Sequence, residues 1–158
     1  MSHPKIGNKA PAFSLKNQKD DVVSLKDFAG IKNVVIYFYP KALTPGCTTQ
    51  ACGIRDKQKA LAARDTVVLG VSPDPTAKLQ KFIDKQDLNF DLLSDEDHAI
   101  AEKYGAWALK KFMGKEYMGI VRTTFIINKE SRLVGVMDKF KTVDHHDELL
   151  AFLDENLS

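Results

Sequence analysis

The chain has 158 residues and only two cysteines, Cys47 and Cys52, and these carry the chemistry worth testing first. Cys47 closes the segment Pro40-Lys-Ala-Leu-Thr44-Pro45-Gly46-Cys47, a Pro-Gly turn that follows an apolar run. The pattern places it where a strand gives way to a helix. Backbone N–H groups at a helix start are unpaired and carry partial positive charge, so they favour a thiolate over a thiol. A thiolate attacks the oxygen of a peroxide or the sulfur of a disulfide. Thr44 is expected to place a hydroxyl beside the same point, while Pro40 and Pro45 stiffen the turn. A lone cysteine is more often a small, buried, inert residue. Position at the end of a buried strand, in a Pro-Gly turn and at a helix start argues against that reading here.

The elements that must hold this site follow from hydrophobic periodicity. Asn33 to Tyr39 is a continuous apolar and aromatic run that predicts a strand buried on both faces at the centre of a sheet. Ala51, Ile54, Gln58 and Leu61 fall at helical spacing and predict a helix from about Cys47 to Ala63. Thr66–Val71 reads as the next strand. Asp74 or Thr76 is positioned to cap a helix carrying Leu79, Phe82 and Ile83. A short strand is expected over Phe90–Leu93. Ser94 and Asp95 lead into a helix through Ile100 and Tyr104, ending near Gly105. Trp107, Phe112 and Met113 are expected in a loop, walling the site or packing in the core. Val121–Ile127 and Arg132–Met137 form a hairpin about the polar turn 128–131, and Leu149 to Leu157 is a final amphipathic helix. The first 30 residues read as short strands, with Ser24 capping a short turn. Strands alternating with helices, then a hairpin and a terminal helix, fit one domain over residues 1–158. The expected class is α/β, a thioredoxin-like three-layer sandwich with a mixed central sheet flanked by helices.

Composition narrows the partners. The net charge is +2, with both signs mixed along the chain, and no basic block offers a face for nucleic acid. Lys110-Lys111 and Lys139/Lys141 read as solvated surface. No apolar run approaches a membrane span, and Met1 to Ala10 lacks the apolar stretch of a secretory signal, so a cytoplasmic protein is expected. In a reducing compartment a structural disulfide would be unusual, which leaves the two thiols incidental, metal-binding or redox-active.

The segment FYPKALTPGCTTQACGIRD resembles the active-site signature of the peroxiredoxins, in the form used by their bacterioferritin comigratory protein (Q-type) subfamily. Pro40, Thr44 and Cys47 meet its Pro-x-x-x-Thr-x-x-Cys pattern. The likeness extends through LLSDEDHAIAEKYGAW and MGKEYMGIVRTTFIIN into FKTVDHHDELLAFL, which is nearly the whole chain. The resemblance implies that Cys47 is the peroxidatic cysteine and Cys52 the resolving one. It implies that Arg122 contacts the thiolate and the peroxide; on its own Arg122 reads as a strand charge. It further implies hydroperoxide substrates, recycling through an intrachain disulfide by thioredoxin or a similar dithiol, and no metal, haem, flavin or other cofactor. No cysteine lies near the C-terminus to resolve across subunits, which leans towards a monomer. Five residues of helix rise about 7.5 Å and leave the two Cα atoms about 8.6 Å apart, beyond the roughly 7 Å a disulfide spans. The helix is therefore expected to unwind during the cycle, helped by Gly53, a poor helix former.

Three other readings share these residues. A disulfide oxidoreductase favours Cys-x-x-Cys, whereas four residues separate the cysteines here. A Cys47, Cys52, His145, His146 metal site has the wrong spacing for a zinc finger, and the histidines are better placed at the start of the last helix. A redox sensor relaying its disulfide would use the same site. Asp95, Glu96, Asp97 and His98 read as helix capping and first-turn charge rather than acid–base machinery.

Overall fold

Every residue of the run 33–38 is buried, and its side chains alternate between two cores. Val34, Ile36 and Phe38 enter one, Val35 and Tyr37 the other. The computed structural model describes residues 3–157. In chain order the elements are β1 (Ser14–Asn17), β2 (Val22–Ser24), a 3-10 turn (Leu25–Phe28), β3 (Asn33–Phe38), α1 (Pro45–Asp56), α2 (Gln58–Ala62) and β4 (Thr66–Ser72). There follow α3 (Thr76–Gln86), β5 (Leu92–Ser94), α4 (Ala99–Lys103), β6 (Trp107–Phe112), β7 (Lys115–Ile120), β8 (Thr123–Ile127), β9 (Leu133–Met137) and α5 (His145–Asn156).

The main sheet has seven strands in the order β2-β1-β5-β4-β3-β8-β9. β3 runs parallel to β4 and antiparallel to β8, so the sheet is mixed and β3 lies inside it. Residues of α1, α2, α3 and α5 pack with Val35 and Tyr37 on one face, while Phe13, Leu25 and α4 pack with Ile36 and Phe38 on the other. Three layers result, as the element order predicts.

Four departures from the sequence expectation have physical causes. The helix expected over 47–63 starts at Pro45 and breaks at Lys57. There the Arg55 carbonyl, which a continuous helix would offer to Lys59, accepts the Asn89 side-chain amide at 3.2 Å. The loop expected around Trp107, Phe112 and Met113 is a separate two-stranded sheet, β6 with β7. Met113 and Gly114 both take positive φ, 52° and 79°, the backbone of a two-residue hairpin turn. The helix after Ser94 starts only at Ala99, because the Asp95 carboxylate accepts the amides of Ile100 and Ala101 at 3.2 and 2.9 Å. The cap of α3 is Pro75, neither Asp74 nor Thr76. Ser24 does sit at the start of its turn, its amide donating to Asp27 at 2.9 Å.

The α1 helix is lightly held. Its buried positions are Cys47, Gln50, Ala51 and Ile54, so only one large aliphatic side chain anchors twelve residues. Burial of that isoleucine contributes about 1.5–3 kcal/mol. Gly46, Gly53, Thr48 and Thr49 add poor helix propensity. Among the described residues no helix is long and apolar enough to cross a membrane.

Candidate active site

β3 delivers the chain to the site. Tyr39 is buried after its last residue, Pro40 is half-buried, and the loop turns through Leu43 at φ 68° before α1 begins. Two links fix this loop. The Ala42 amide donates to Asp74 Oδ2 at 2.7 Å, and Thr44 Oγ1 donates to the Lys41 carbonyl at 2.8 Å. Asp74 itself is held by Ser72 Oγ at 2.8 Å and by Lys78 Nζ at 3.4 Å. An aspartate expected to cap α3 instead pins the loop that carries the nucleophile candidate.

Thr44 is the N-cap of α1, Pro45 its first residue, and Cys47 lies in its first turn. Helix geometry leaves the Gly46 and Cys47 amides without intrahelical partners. Cys47 is 1% exposed, yet its sulfur is not in an apolar pocket: Arg122 Nη2 donates to Sγ at 3.2 Å. Arg122 Nη1 donates to Gln50 Oε1 at 3.1 Å, so one guanidinium spans two residues of the same helix face. Arg122 sits in the two-residue link between β7 and β8, one residue before Thr123, which pairs with Phe38 of β3. It is half-buried and hydrogen-bonded, not a surface strand charge. Gly46 makes room for it: a Cβ there would meet Nη2 at 3.0 Å, tighter than almost any real contact.

Of the residues singled out in the sequence, Cys47, Thr44, Arg122 and Pro40 therefore converge on one end of β3. Cys52 lies on the same helix, half-buried, its thiol donating to Gln86 Oε1 at 3.5 Å. Both thiols are free. Gln50 was missed by sequence reasoning; its one signal was its place three residues after Cys47, on the same helix face. Lys110, read as solvated, is half-buried with Nζ donating to the Ile120 carbonyl at 2.9 Å. Burial and then the Arg122 charge hold its ammonium below the usual lysine range, with Cys47 acting in the opposite sense. Under α1, burial raises the Tyr37 phenol well above its ordinary range, and Tyr39 and Cys47 reinforce this, so it is neutral.

His145 and His146 open α5, as expected. His145 is fully buried, with Nε2 and Thr124 Oγ1 2.8 Å apart, and burial lowers its pKa to about 4, helped by His146 and then Arg122. Among the described residues no group of three or more His, Cys, Asp or Glu side chains is placed to hold a metal ion.

Residues 6–136 match the AhpC/TSA family. A putative peroxiredoxin Bcp of Haemophilus influenzae is 56% identical over 153 residues, covering 97% of this chain and 98% of its own. The chain is a peroxiredoxin of the AhpC/TSA family. The peroxiredoxin Bcp of Escherichia coli is 49% identical over 156 residues, 99% of each chain. Among solved structures, Xanthomonas campestris peroxiredoxin Q superposes with a TM-score of 0.87 at 33% identity, covering 92% of each chain. A peroxiredoxin Q variant of Xylella fastidiosa reaches a TM-score of 0.91 at 28% identity, covering 98% of each. The peroxiredoxin fold expected from the sequence is thus the fold observed, a thioredoxin-like sandwich, and this peroxiredoxin is a thiol-dependent peroxidase and an oxidoreductase. Its family implies hydroperoxide substrates and a thioredoxin-like reductant.

Proposed function

We propose that Cys47 is the nucleophile of this peroxidase, and that it reduces hydrogen peroxide and organic hydroperoxides in a cycle closed by Cys52. The observation that carries the reading is the 3.2 Å contact from Arg122 Nη2 to Cys47 Sγ at the start of α1. The thiolate attacks the terminal peroxide oxygen. An S–O bond forms, the O–O bond breaks, and the departing oxygen leaves as water or an alcohol once protonated. Negative charge moves from sulfur to oxygen during that step. Arg122 and the unpaired amides at the helix start are fixed donors along this path, in a site that need not reorganise. Because the Thr44 hydroxyl hydrogen is given to Lys41, its oxygen is an acceptor, suited to the O–H of an incoming hydroperoxide. Pro40, half-buried just beyond β3, stiffens the loop that leads to the sulfur.

Cys52 then condenses with the sulfenic acid, forming an intrachain disulfide and releasing water. A dithiol reductant of the thioredoxin type restores both thiols by exchange. Both sulfurs belong to one helix, which supports action as a monomeric single domain, since no second subunit is needed to finish the cycle. A two-thiol cycle recycled by a dithiol suits a reducing cytoplasm and a role in antioxidant defence. One substitution tests the nucleophile. Cys47→Ser should abolish peroxide turnover, because a serine hydroxyl is un-ionised at neutral pH; turnover near wild type would overturn the assignment.

A further inference from the structure

The two halves of α1 are held by different contacts, and only one set depends on the redox state of Cys47. The first half is held by Arg122, bonded to Cys47 Sγ and Gln50. Oxidation of Cys47 consumes the thiolate in that contact. The second half is held by groups that take no part in the reaction. Arg55 Nη1 donates to the Gln86 carbonyl at 2.6 Å, and Asn89 Nδ2 donates to the Arg55 carbonyl at 3.2 Å. Two residues earlier, the His146 ring packs against the Gly53 backbone, with Nδ1 nearest. A Cβ at Gly53 would sit 2.8 Å from His146 Cε1 and 2.9 Å from Cγ, and closer still to Nδ1. No side chain larger than hydrogen fits there without moving the ring. The ring is itself on a fixed support: its neighbour His145 bonds Thr124 of β8, and Leu149 and Leu153 of α5 are buried in the core. Gly53 therefore does more than weaken the helix, the one role the sequence suggested for it.

We propose that His146, seated on Gly53, is a positioning residue for the resolving step. It rests on Cys52 being the resolving cysteine. The seat holds the residue next to Cys52 on the body of the protein. Unwinding after oxidation is then confined to the turns between Cys47 and Cys52, and Cys47 travels to a stationary thiol. A stationary target keeps the effective concentration of the Cys52 thiol high at the point the sulfenic acid reaches. Without the seat the residues around Cys52 are restrained only through Arg55, two positions beyond Gly53, and the encounter slows.

The test follows a pulse of hydrogen peroxide on the reduced full-length protein by rapid quench and mass spectrometry. This separates sulfenic acid formation from disulfide formation. His146→Ala should leave the first step within about twofold and slow the second by about threefold to thirtyfold, the range a single lost packing contact commonly gives. Sulfinic acid at high peroxide should rise in step, since the sulfenic acid lives longer. His146→Phe keeps an aromatic ring in the seat and should restore the wild-type rate of disulfide formation. Disulfide formation in His146→Ala at or above the wild-type rate would overturn the proposal, as would His146→Phe behaving like His146→Ala. A wild-type measurement guards against a variant that does not fold. The His146 ring resonances should keep their shifts between the dithiol and disulfide forms; movement to the values of a solvated histidine would overturn the seat. Absence of any Cys47–Cys52 disulfide in the wild type would overturn both this inference and the resolving role on which it rests. A wild-type disulfide with no change in His146→Ala overturns the seat alone.

Discussion

Arg122 offers the sharpest quantitative test of the site. Its two terminal nitrogens are committed separately, one to Cys47 Sγ at 3.2 Å and one to Gln50 Oε1 at 3.1 Å. A thiolate and a guanidinium at that separation attract by about 5 kcal/mol at an effective dielectric constant of 20. Arg122 is partly open to solvent, so that figure is a ceiling. It also stabilises the ground state, so only the part that follows the charge onto the departing oxygen accelerates the reaction. Loss of one such donor costs about two to three orders of magnitude in rate. Because part of the attraction is already present in the ground state, Arg122→Ala should slow peroxide reduction by about 10–1,000-fold. Arg122→Lys keeps the charge but brings one nitrogen where two are needed, and its rate should fall between those of wild type and Arg122→Ala. Gly46→Ala makes the complementary test without touching a charge. Its Cβ would meet Nη2 at 3.0 Å and push the guanidinium off the sulfur by a few tenths of an ångström, for a smaller loss. The assay is stopped-flow oxidation of the reduced protein by hydrogen peroxide, in single turnover so that recycling does not intervene. Arg122→Ala within twofold of wild type would refute a role for the guanidinium. Arg122→Lys equal to wild type would show that charge alone matters and that the fork to Gln50 is incidental.

Cys52→Ser should retain the first peroxide-consuming turnover and lose recycling by a thioredoxin-type dithiol; loss of the first turnover would show the two cysteine roles to be wrongly assigned. Amides from about Thr48 to Arg55 should exchange hydrogen much faster in the disulfide form than in the dithiol form, because a bond between residues five apart cannot be held in an intact helix. Equal protection in both forms, with the disulfide verified by mass, would refute the unwinding. His145 should make the fold acid-sensitive. Its pKa of about 4 in the folded state lies below that of an unfolded histidine, so the unfolded chain binds the extra proton. Its contribution is fully present above about pH 6.5 and is lost as pH falls from there through 4, on the order of 3 kcal/mol in all. Urea unfolding across that range should show the slope in wild type and a flatter profile in His145→Phe; identical profiles would refute it.

Where residue type alone sets the outcome, the sequence predicts the structure well. Asn33 to Tyr39 could be buried only on both faces, and a cysteine after Pro45-Gly46 could hardly avoid a helix start. The β6–β7 hairpin was hidden for a matching reason. Its strands are largely exposed towards the turn and carry Lys110, Lys111 and Lys115, so burial imposes no clean alternation, and its Met113-Gly114 turn lacks the usual asparagine or aspartate. The break at Lys57 depends on Asn89, a residue 34 positions along from the Arg55 carbonyl it binds, and no local pattern carries such information. The Asp74–Ala42 and Arg122–Gln50 bonds were illegible for the same reason. Each joins side chains or amides that become neighbours only once β3, β4 and β8 are aligned.

The buried stripe of α1 runs through Cys47, Gln50, Ala51 and Ile54 and leaves Cys52 to one side of it. The nucleophile candidate is thus a core residue, and any replacement disturbs packing as well as chemistry. Cys52 has a lighter duty: it is half-buried, and its thiol makes a long polar contact to Gln86. In terms of sequence drift the two thiols are unequal. Position 47 is constrained strongly by both folding and reactivity, whereas position 52 is constrained mainly by reactivity. A descendant of this chain that placed a second thiol elsewhere within reach of an unwound α1 would be free to replace Cys52 at little cost to the fold, changing how the cycle closes while leaving its first step untouched.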